Sequence, residues 1–339
     1  MSRRKRGLSI LIVSVLLCLL FAGLLWVSGW GGDLDNECRD TGEIVLFLRR
    51  LAGFNDRSTP VGEAPDGGPL TVHFIDVGQG DAVLIQTPQG RVMLIDAGSA
   101  NAGEAVLRYL DERGISQIDL VVGTHPHEDH IGGLIAVLEN LPVGKVIDSG
   151  KIHTSKSYEK YLALIDEKKI PFEIGQAGKE IALDPSVTLK ILHPGPDIED
   201  SNVNNSSVVI QLSYGEVDFL FTGDAESEAE SEILARGYCC TEVTVLKVGH
   251  HGSSSSTSED FLRAVAPEIA VISLGRDNPY GHPHEETLDR LAAAGAKIFR
   301  TDLAGSIVIT TDGICHQINT VPGLSGSSRP SPDAKEVIK

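Results

Sequence analysis

Three imidazoles and two carboxylates crowd the run Thr124-His125-Pro126-His127-Glu128-Asp129-His130, directly after Ile118-Asp119-Leu120-Val121-Val122, an apolar stretch that reads as a buried strand. So dense a set of titratable groups at a strand end restricts the fold, because it has to converge on something that satisfies it. A tight loop leaving the strand turns alternate side chains, His125 and His127, toward one point. Asp129 and His130 then face a second point nearby. Imidazole and carboxylate are borderline-to-hard ligands, so two such points suit Zn²⁺, Mn²⁺ or Fe²⁺ rather than a thiolate metal. The spacing His-x-His-x-Asp-His, followed by Ile131-Gly132-Gly133, argues against a loop that is histidine-rich by chance.

The ends of the chain carry a different kind of signal. Arg3-Arg4-Lys5-Arg6 precede a nearly uncharged stretch from Gly7 to Trp30. At about 1.5 Å per helical residue this stretch is long enough for a hydrocarbon core of roughly 30 Å. Residues 1–30 are therefore predicted to be an uncleaved signal anchor, a single transmembrane helix with its basic cluster in the cytoplasm and the remaining chain outside. Residues 31–69 mix charge, Pro and Gly and read as a linker. Residues 321–339 are Ser/Pro/Gly-rich and read as a disordered tail. The five cysteines form no framework and have no metal-ligand spacing. A formal charge of −18 excludes a sequence-independent electrostatic grip on nucleic acid. A nucleic-acid substrate would have to be held by local basic residues and by metal ions.

Between these ends, residues 70–320 alternate short β-rich runs with helical segments. Thr71–Val77, Ala82–Ile85 and Val92–Ile95 are predicted strands, separated by Gly-containing turns. Apolar spacing predicts helices over Ala105–Leu110, Leu134–Leu138, Tyr158–Ile165, Glu226–Leu234, Glu259–Val265 and Glu285–Ala294. Further strands are predicted at Val146, Val187–Leu192, Val208–Leu212, Val217–Phe221, Val243–Val248, Ile269–Ser273, Ile298 and Ile307. Strand meanders mixed with strand-helix alternation predict two sheets with helices outside, a four-layer αββα sandwich of the α/β (α+β) class, rather than one doubly wound sheet.

Single candidate ligands stand at the ends of later strands: His193 in Leu192-His193-Pro194, Asp224 in Thr222-Gly223-Asp224, and His250 or His251 in Val248-Gly249-His250-His251-Gly252-Ser253. With these motifs the chain resembles the metallo-β-lactamase-fold superfamily, and within it the hydrolase-like domain of ComEC-type competence proteins. The resemblance runs from about Leu70 to about Asn319. Beyond the metal loop it rests on Asp76-Val77-Gly78-Gln79-Gly80-Asp81-Ala82, Leu94-Ile95-Asp96-Ala97-Gly98, Asn204-Asn205-Ser206-Ser207, Asn278-Pro279-Tyr280-Gly281-His282-Pro283 and Arg300-Thr301-Asp302.

The resemblance implies a binuclear centre for two divalent ions, Zn or Mn. One ion would be held by His125, His127 and His193, the second by Asp129, His130 and His250, with Asp224 bridging them. Many ComEC-type domains carry an acidic residue where this chain has His127. The expected activity is phosphodiester or nucleic-acid hydrolysis by a water activated between two cations. Asp129 is expected to orient or deprotonate that water, His251 and His282 to donate to the substrate oxygen or leaving group, and Asn205, Ser207 and Ser253 to bind phosphate oxygens. Asp76, Asp81 and Asp96 are expected to brace the metal loop. The expected partners are a phosphodiester substrate, DNA included, and the membrane through the N-terminal helix. The alternatives are an acyl or thioester hydrolase of the same fold and a non-catalytic DNA-uptake accessory protein. A true β-lactamase usually lacks the bridging Asp and leaves Asp224 unexplained.

Overall fold

The computed structural model describes residues 67–196, 202–237 and 242–322. The predicted anchor, most of the predicted linker and nearly all of the predicted tail lie outside them. Among the described residues no helix is long and apolar enough to cross a membrane.

A first sheet begins with β1 (Leu70–Phe74), β2 (Val83–Gln86), β3 (Val92–Ile95), β4 (Leu120–Gly123), β5 (Val146–Asp148) and β6 (Phe172–Ile174). The chain then builds a second sheet from β7 (Glu180–Ile181), β8 (Thr188–His193), β9 (Val209–Tyr214), β10 (Val217–Phe221), β11 (Val245–Lys247), β12 (Ile269–Ile272) and β13 (Lys297–Arg300). It returns to the first with β14 (Ser306–Thr311) and β15 (His316–Val321). The orders are β15-β14-β1-β2-β3-β4-β5-β6 and β13-β12-β11-β10-β9-β8-β7.

Alternation along each strand produces the layers. Met93 and Ile95 of β3, Leu120 and Val122 of β4, and Val217, Phe219 and Phe221 of β10 point between the sheets. Phe74 of β1 meets Phe221 of β10 across that core, with ring centroids 6.2 Å apart. The intervening residues face outward: Leu94 and Val121 pack under α1 (Gly103–Asp111), α2 (Glu128–Ile131), α3 (Leu134–Asn140) and α4 (Lys156–Glu167). Leu220, Leu246 and Ala270 pack under α5 (Ser227–Arg236), α6 (Glu259–Val265) and α7 (Glu285–Ala293). A short α8 (Thr301–Ala304) links β13 to β14. The two sheets and two helical layers form the expected mixed α/β sandwich. Strands buried on both faces read as continuous apolar runs, which is why Leu120-Val121-Val122 and Ile269-Ala270-Val271-Ile272 are visible in the sequence.

Three strands escape the sequence prediction. β6 and β7 are only three and two residues long at sheet edges, and Phe172 and Ile174 of β6 are exposed. β15 (His-Gln-Ile-Asn-Thr-Val) is polar and half-exposed, and its register against β14 is what defines it.

Strand direction decides where the chemistry sits. β3 to β6 run parallel, as do β10 to β13. β1 runs antiparallel to β2, which runs antiparallel to β3, so β1 points the same way as β3. By the same logic through β9, β8 points the same way as β10. The segments leaving β1, β3 and β4 therefore open at one end of the first sheet, and those leaving β8, β10, β11 and β12 at one end of the second. They carry Asp76 to Asp81, Asp96, His125 to His130, His193, Asp224, His250 with His251, and Ser273.

Leu212 is fully buried in the inter-sheet core. Leu212→Ala is expected to lower the unfolding free energy by about 2–5 kcal/mol in urea titrations, through lost transfer energy and the cavity left behind. A loss below about 1 kcal/mol would contradict tight packing of the sheets at this position.

Candidate metal centre

Backbone contacts lock the loop after β4 in place. Asp81 N donates to Asp129 O at 3.2 Å, Ala97 N to His130 O at 2.9 Å, and Gly133 N to Gly98 O at 2.9 Å. A Cβ at Gly80 would collide with the Asp129 carbonyl, and one at Gly133 with the Ala97 carbonyl, so the segments touch main chain to main chain. His127 is extended and leads into α2, which brings the His130 ring to 4.1 Å from that of His125. His125 Nε2 lies 3.0 Å from His127 Nδ1, a separation two nitrogens bound to one ion could share.

Asp96, fully buried and held at φ +55°, organises these ligands from behind. Its Oδ1 accepts from Thr124 N at 2.8 Å, and its Oδ2 accepts from Thr124 Oγ1 at 2.6 Å and from His130 Nδ1 at 2.8 Å. Thr124 Oγ1, its own proton committed to Asp96, accepts from His125 Nδ1 at 3.2 Å. Both imidazoles are thereby held in the tautomer that leaves Nε2 for a metal.

The second sheet supplies the opposing wall. Asp224 N donates to Ser207 Oγ at 3.0 Å, and Thr222 Oγ1 donates to Lys247 O at 2.7 Å, which fixes the turn after β10. Asp224 Oδ2 then lies 3.2 Å from His130 Nε2, 3.5 Å from His251 Nε2, 3.7 Å from His125 Nε2 and 3.8 Å from His250 Nε2. His250 and His251 are both left-handed (φ +46° and +52°) inside a 3-10 turn, so their side chains do not follow the alternation of an extended segment. His251 is buried. Its Nδ1 donates to Ser273 O at 2.9 Å, and its Nε2 lies 3.4 Å from Asp129 Oδ2. His250 is partly exposed and turns its Nδ1 to Glu226 Oε1 at 3.0 Å.

Four groups emerge among the described residues whose ligand atoms all lie within 4.8 Å of one another: His125, His130 and Asp224; Asp129, His130 and His251; Asp81, Asp96 and His130; and Asp81, Asp224 and His251. Of the residues predicted as ligands, His127 joins through His125, while His193 and His250 fall outside these groups. His193 is buried, with Nδ1 donating to Ser207 O at 3.1 Å and Nε2 3.8 Å from Glu232 Oε2.

The residues predicted to bind phosphate have other contacts. Asn205 is buried and its Oδ1 accepts from Glu226 N at 3.0 Å. Ser207 is fully buried behind Asp224, and Ser253 Oγ pairs with Ser255 Oγ at 3.0 Å. The His282 ring is 5.4 Å from that of His250 and 6.4 Å from that of His251. Asp76 serves its own turn, accepting from Gly78 N at 3.1 Å. Asp81 supports the centre directly: its Oδ1 is 3.3 Å from His251 Nδ1 and its Oδ2 pairs with Lys247 Nζ.

Lys247, almost fully buried, is a residue that sequence reasoning missed. It joins Asp81 to Gly223 O, 3.2 Å away, and so ties the two walls together. A lysine closing the apolar strand Val245-Leu246-Lys247 was the available signal, since an unpaired ammonium would not be buried there.

Electrostatics follow from four carboxylates packed around imidazoles. Burial opposes charge on His130, but Asp224 and Asp96 outweigh it and hold its pKa well above the ordinary value. His251 is likewise pushed up to about 10, burial being overcome by Asp224 and Asp81. Burial and the neighbouring His130 hold His125 well below the usual range. Burial of Asp224 is outweighed by His130 and His251, which keep it ionised.

Two observations test whether a metal fits. Nε2 of His130, Nε2 of His251 and Oδ1 of Asp224 are buried and make no well-formed hydrogen bond among the described residues. Each of these imidazoles is also held at Nδ1 by an acceptor, the arrangement expected of metal-ligating histidines. The nitrogen and oxygen donor set fits divalent Zn or Mn.

Residues 75–276 match the family described as the Metallo-beta-lactamase superfamily. ComE operon protein 3 of Bacillus subtilis is 35% identical over 256 residues, covering 70% of this chain and 32% of that protein. Competence protein ComA of Neisseria gonorrhoeae is 31% identical over 268 residues (78% and 34%), and Recombination protein 2 of Haemophilus influenzae 32% identical over 277 residues (80% and 32%). The chain belongs to the metallo-β-lactamase superfamily, whose fold serves metal-dependent hydrolases. Within it, the matched region is a hydrolase-like domain of the ComEC type. The chain spans about a third of the length of these curated relatives.

Asp96→Ala is expected to weaken Zn²⁺ affinity by roughly 10–100-fold, because it frees His130 and Thr124 from their common acceptor. Competition against a chromophoric chelator measures this, with circular dichroism checking the fold.

Proposed function

We propose that this domain is a binuclear metal-dependent phosphodiesterase, with nucleic acid within its substrate range. The observation that supports it is the Asp224 carboxylate, one oxygen of which stands within 3.8 Å of imidazole nitrogens from both walls. That is the position a carboxylate shared between two ions would take. His125 and His127, with Asp224, would hold one ion. Asp129, His130 and His251, with Asp224, would hold the other, His251 standing where the sequence favoured His250. Two Zn²⁺ or Mn²⁺ ions in such a site supply Lewis acidity and lower the pKa of a nearby water.

The chain's own residues divide the remaining work. Burial raises the pKa of Asp129, but the His251 imidazole 3.4 Å away and the charge on His130 outweigh it, so the carboxyl sits well below the usual range. A carboxylate of that kind accepts a hydrogen bond well and keeps a proton poorly, so Asp129 orients the attacking water rather than storing its proton. Burial, together with His250 and His251, pulls His282 down to about 4. A neutral imidazole at pH 7 can donate a hydrogen bond to a substrate oxygen without bringing in a cation. Asp81, Asp96, Lys247, Ser207 and Asn205 hold the ligands rather than touching substrate. On the sequence alone, the basic and apolar N-terminus supports a membrane tether that places the domain outside the cytoplasm.

Protein reconstituted with Zn²⁺ or Mn²⁺ is expected to hydrolyse bis(p-nitrophenyl) phosphate and DNA. Chelation should abolish turnover, and Asp224→Ala should lower kcat by roughly 100-fold or more. A metal-loaded protein that cleaves a thioester and leaves phosphodiesters intact would overturn the assignment in favour of an acyl hydrolase.

A further inference from the structure

Beside the metal centre, a loop is organised around a single exposed ring. Tyr280 is 61% exposed, one of the few large apolar side chains on the described surface. Its ring lies nearly parallel to that of His282, at 26° and 5.7 Å between centroids, an offset stack. His282 in turn lies 5.4 Å from His250, whose Nε2 approaches Asp224.

The loop carrying these rings is braced from within. Asn278 Oδ1 accepts from His282 N at 2.9 Å, and Asn278 Nδ2 donates to Gly275 O at 2.9 Å and to His282 O at 2.7 Å. Gly281, at φ +74°, makes the turn between the two rings. One side chain thus closes the loop into a ring of hydrogen bonds, so Tyr280 loses little further freedom when something packs on it. Holding an aromatic ring in water gains nothing for folding, because its surface stays hydrated. A planar apolar group covering it would gain that energy.

We infer that Tyr280, backed by His282, is a stacking platform for a nucleobase attached to the phosphate that enters the metal centre. This rests on the phosphodiesterase assignment and deepens it, since it specifies nucleotides rather than phosphodiesters at large. Stacking suits a chain with a charge of −18, because it holds a nucleotide without a cationic groove and tolerates any base. It also favours single strands, whose bases are free to splay out.

The test measures binding by calorimetry, using the metal-loaded protein with deoxyadenosine 5′-monophosphate and with 2-deoxyribose 5-phosphate, which lacks the base. Wild type is expected to bind the nucleotide about tenfold more tightly than the sugar phosphate. Tyr280→Ala should bring that ratio close to one, and Tyr280→Phe should preserve it, because the ring and not the hydroxyl does the stacking. Equal affinity for the two probes in wild type, no detectable binding of either, or a ratio that survives Tyr280→Ala would each overturn the platform. Turnover of bis(p-nitrophenyl) phosphate by the same preparation reports separately on the phosphodiesterase assignment, so a failed platform and a failed hydrolase give different results.

Discussion

A carboxylate removed from water needs compensating charge close by, and at Asp224 that requirement shapes everything around it. Asp81, Asp96 and Asp129 add further negative charge within the same small volume, and imidazoles from both sheets supply the balance. Protons on His130 and His251 can provide it. Divalent cations can provide it at the same ring nitrogens, so metal affinity and acidity are linked through shared lone pairs. The cluster is unfavourable in isolation and favourable only when complete, which gives each member a stake in the positions of the others.

Topology makes that completeness possible. Each sheet contains strands running in opposite directions, yet the strands that end in functional residues are those pointing one way. The hairpins β1-β2-β3 and β8-β9-β10 bring the chain back so that β1 and β8 deliver their ends beside the parallel strands. The fused cross-sheet core around Phe74 and Phe221 then fixes the distance between the two sets of loops. The metal centre is the polar margin of the hydrophobic core, and its geometry inherits the rigidity of that core.

Much of this was legible in the sequence because its signals are local. Strands buried on both faces are apolar throughout, and the His-x-His-x-Asp-His spacing marks a loop whose side chains form candidate metal-ligand groups. The choice between His250 and His251 was not legible. Alternation along an extended segment was the only guide there, and the structure has two left-handed residues in a 3-10 turn instead. The bracing roles of Asn205 and Ser207 were equally hidden, since polar residues near a site look alike until their partners, Glu226 and Asp224, are in place. The edge strands β6, β7 and β15 are set by pairing rather than by composition.

The main-chain contact at Gly80 has a consequence for engineering. The loop bearing Asp129 is shaped as much by the segment leaving β1 as by its own residues, because the two backbones touch where any side chain would intrude. Transplanting the histidine-rich loop alone onto another scaffold would discard half of its mould. A graft able to hold ions would have to carry the glycine-bearing turn as well, mounted at the same height on a strand of the same sheet, with two strands between it and the one that bears the loop.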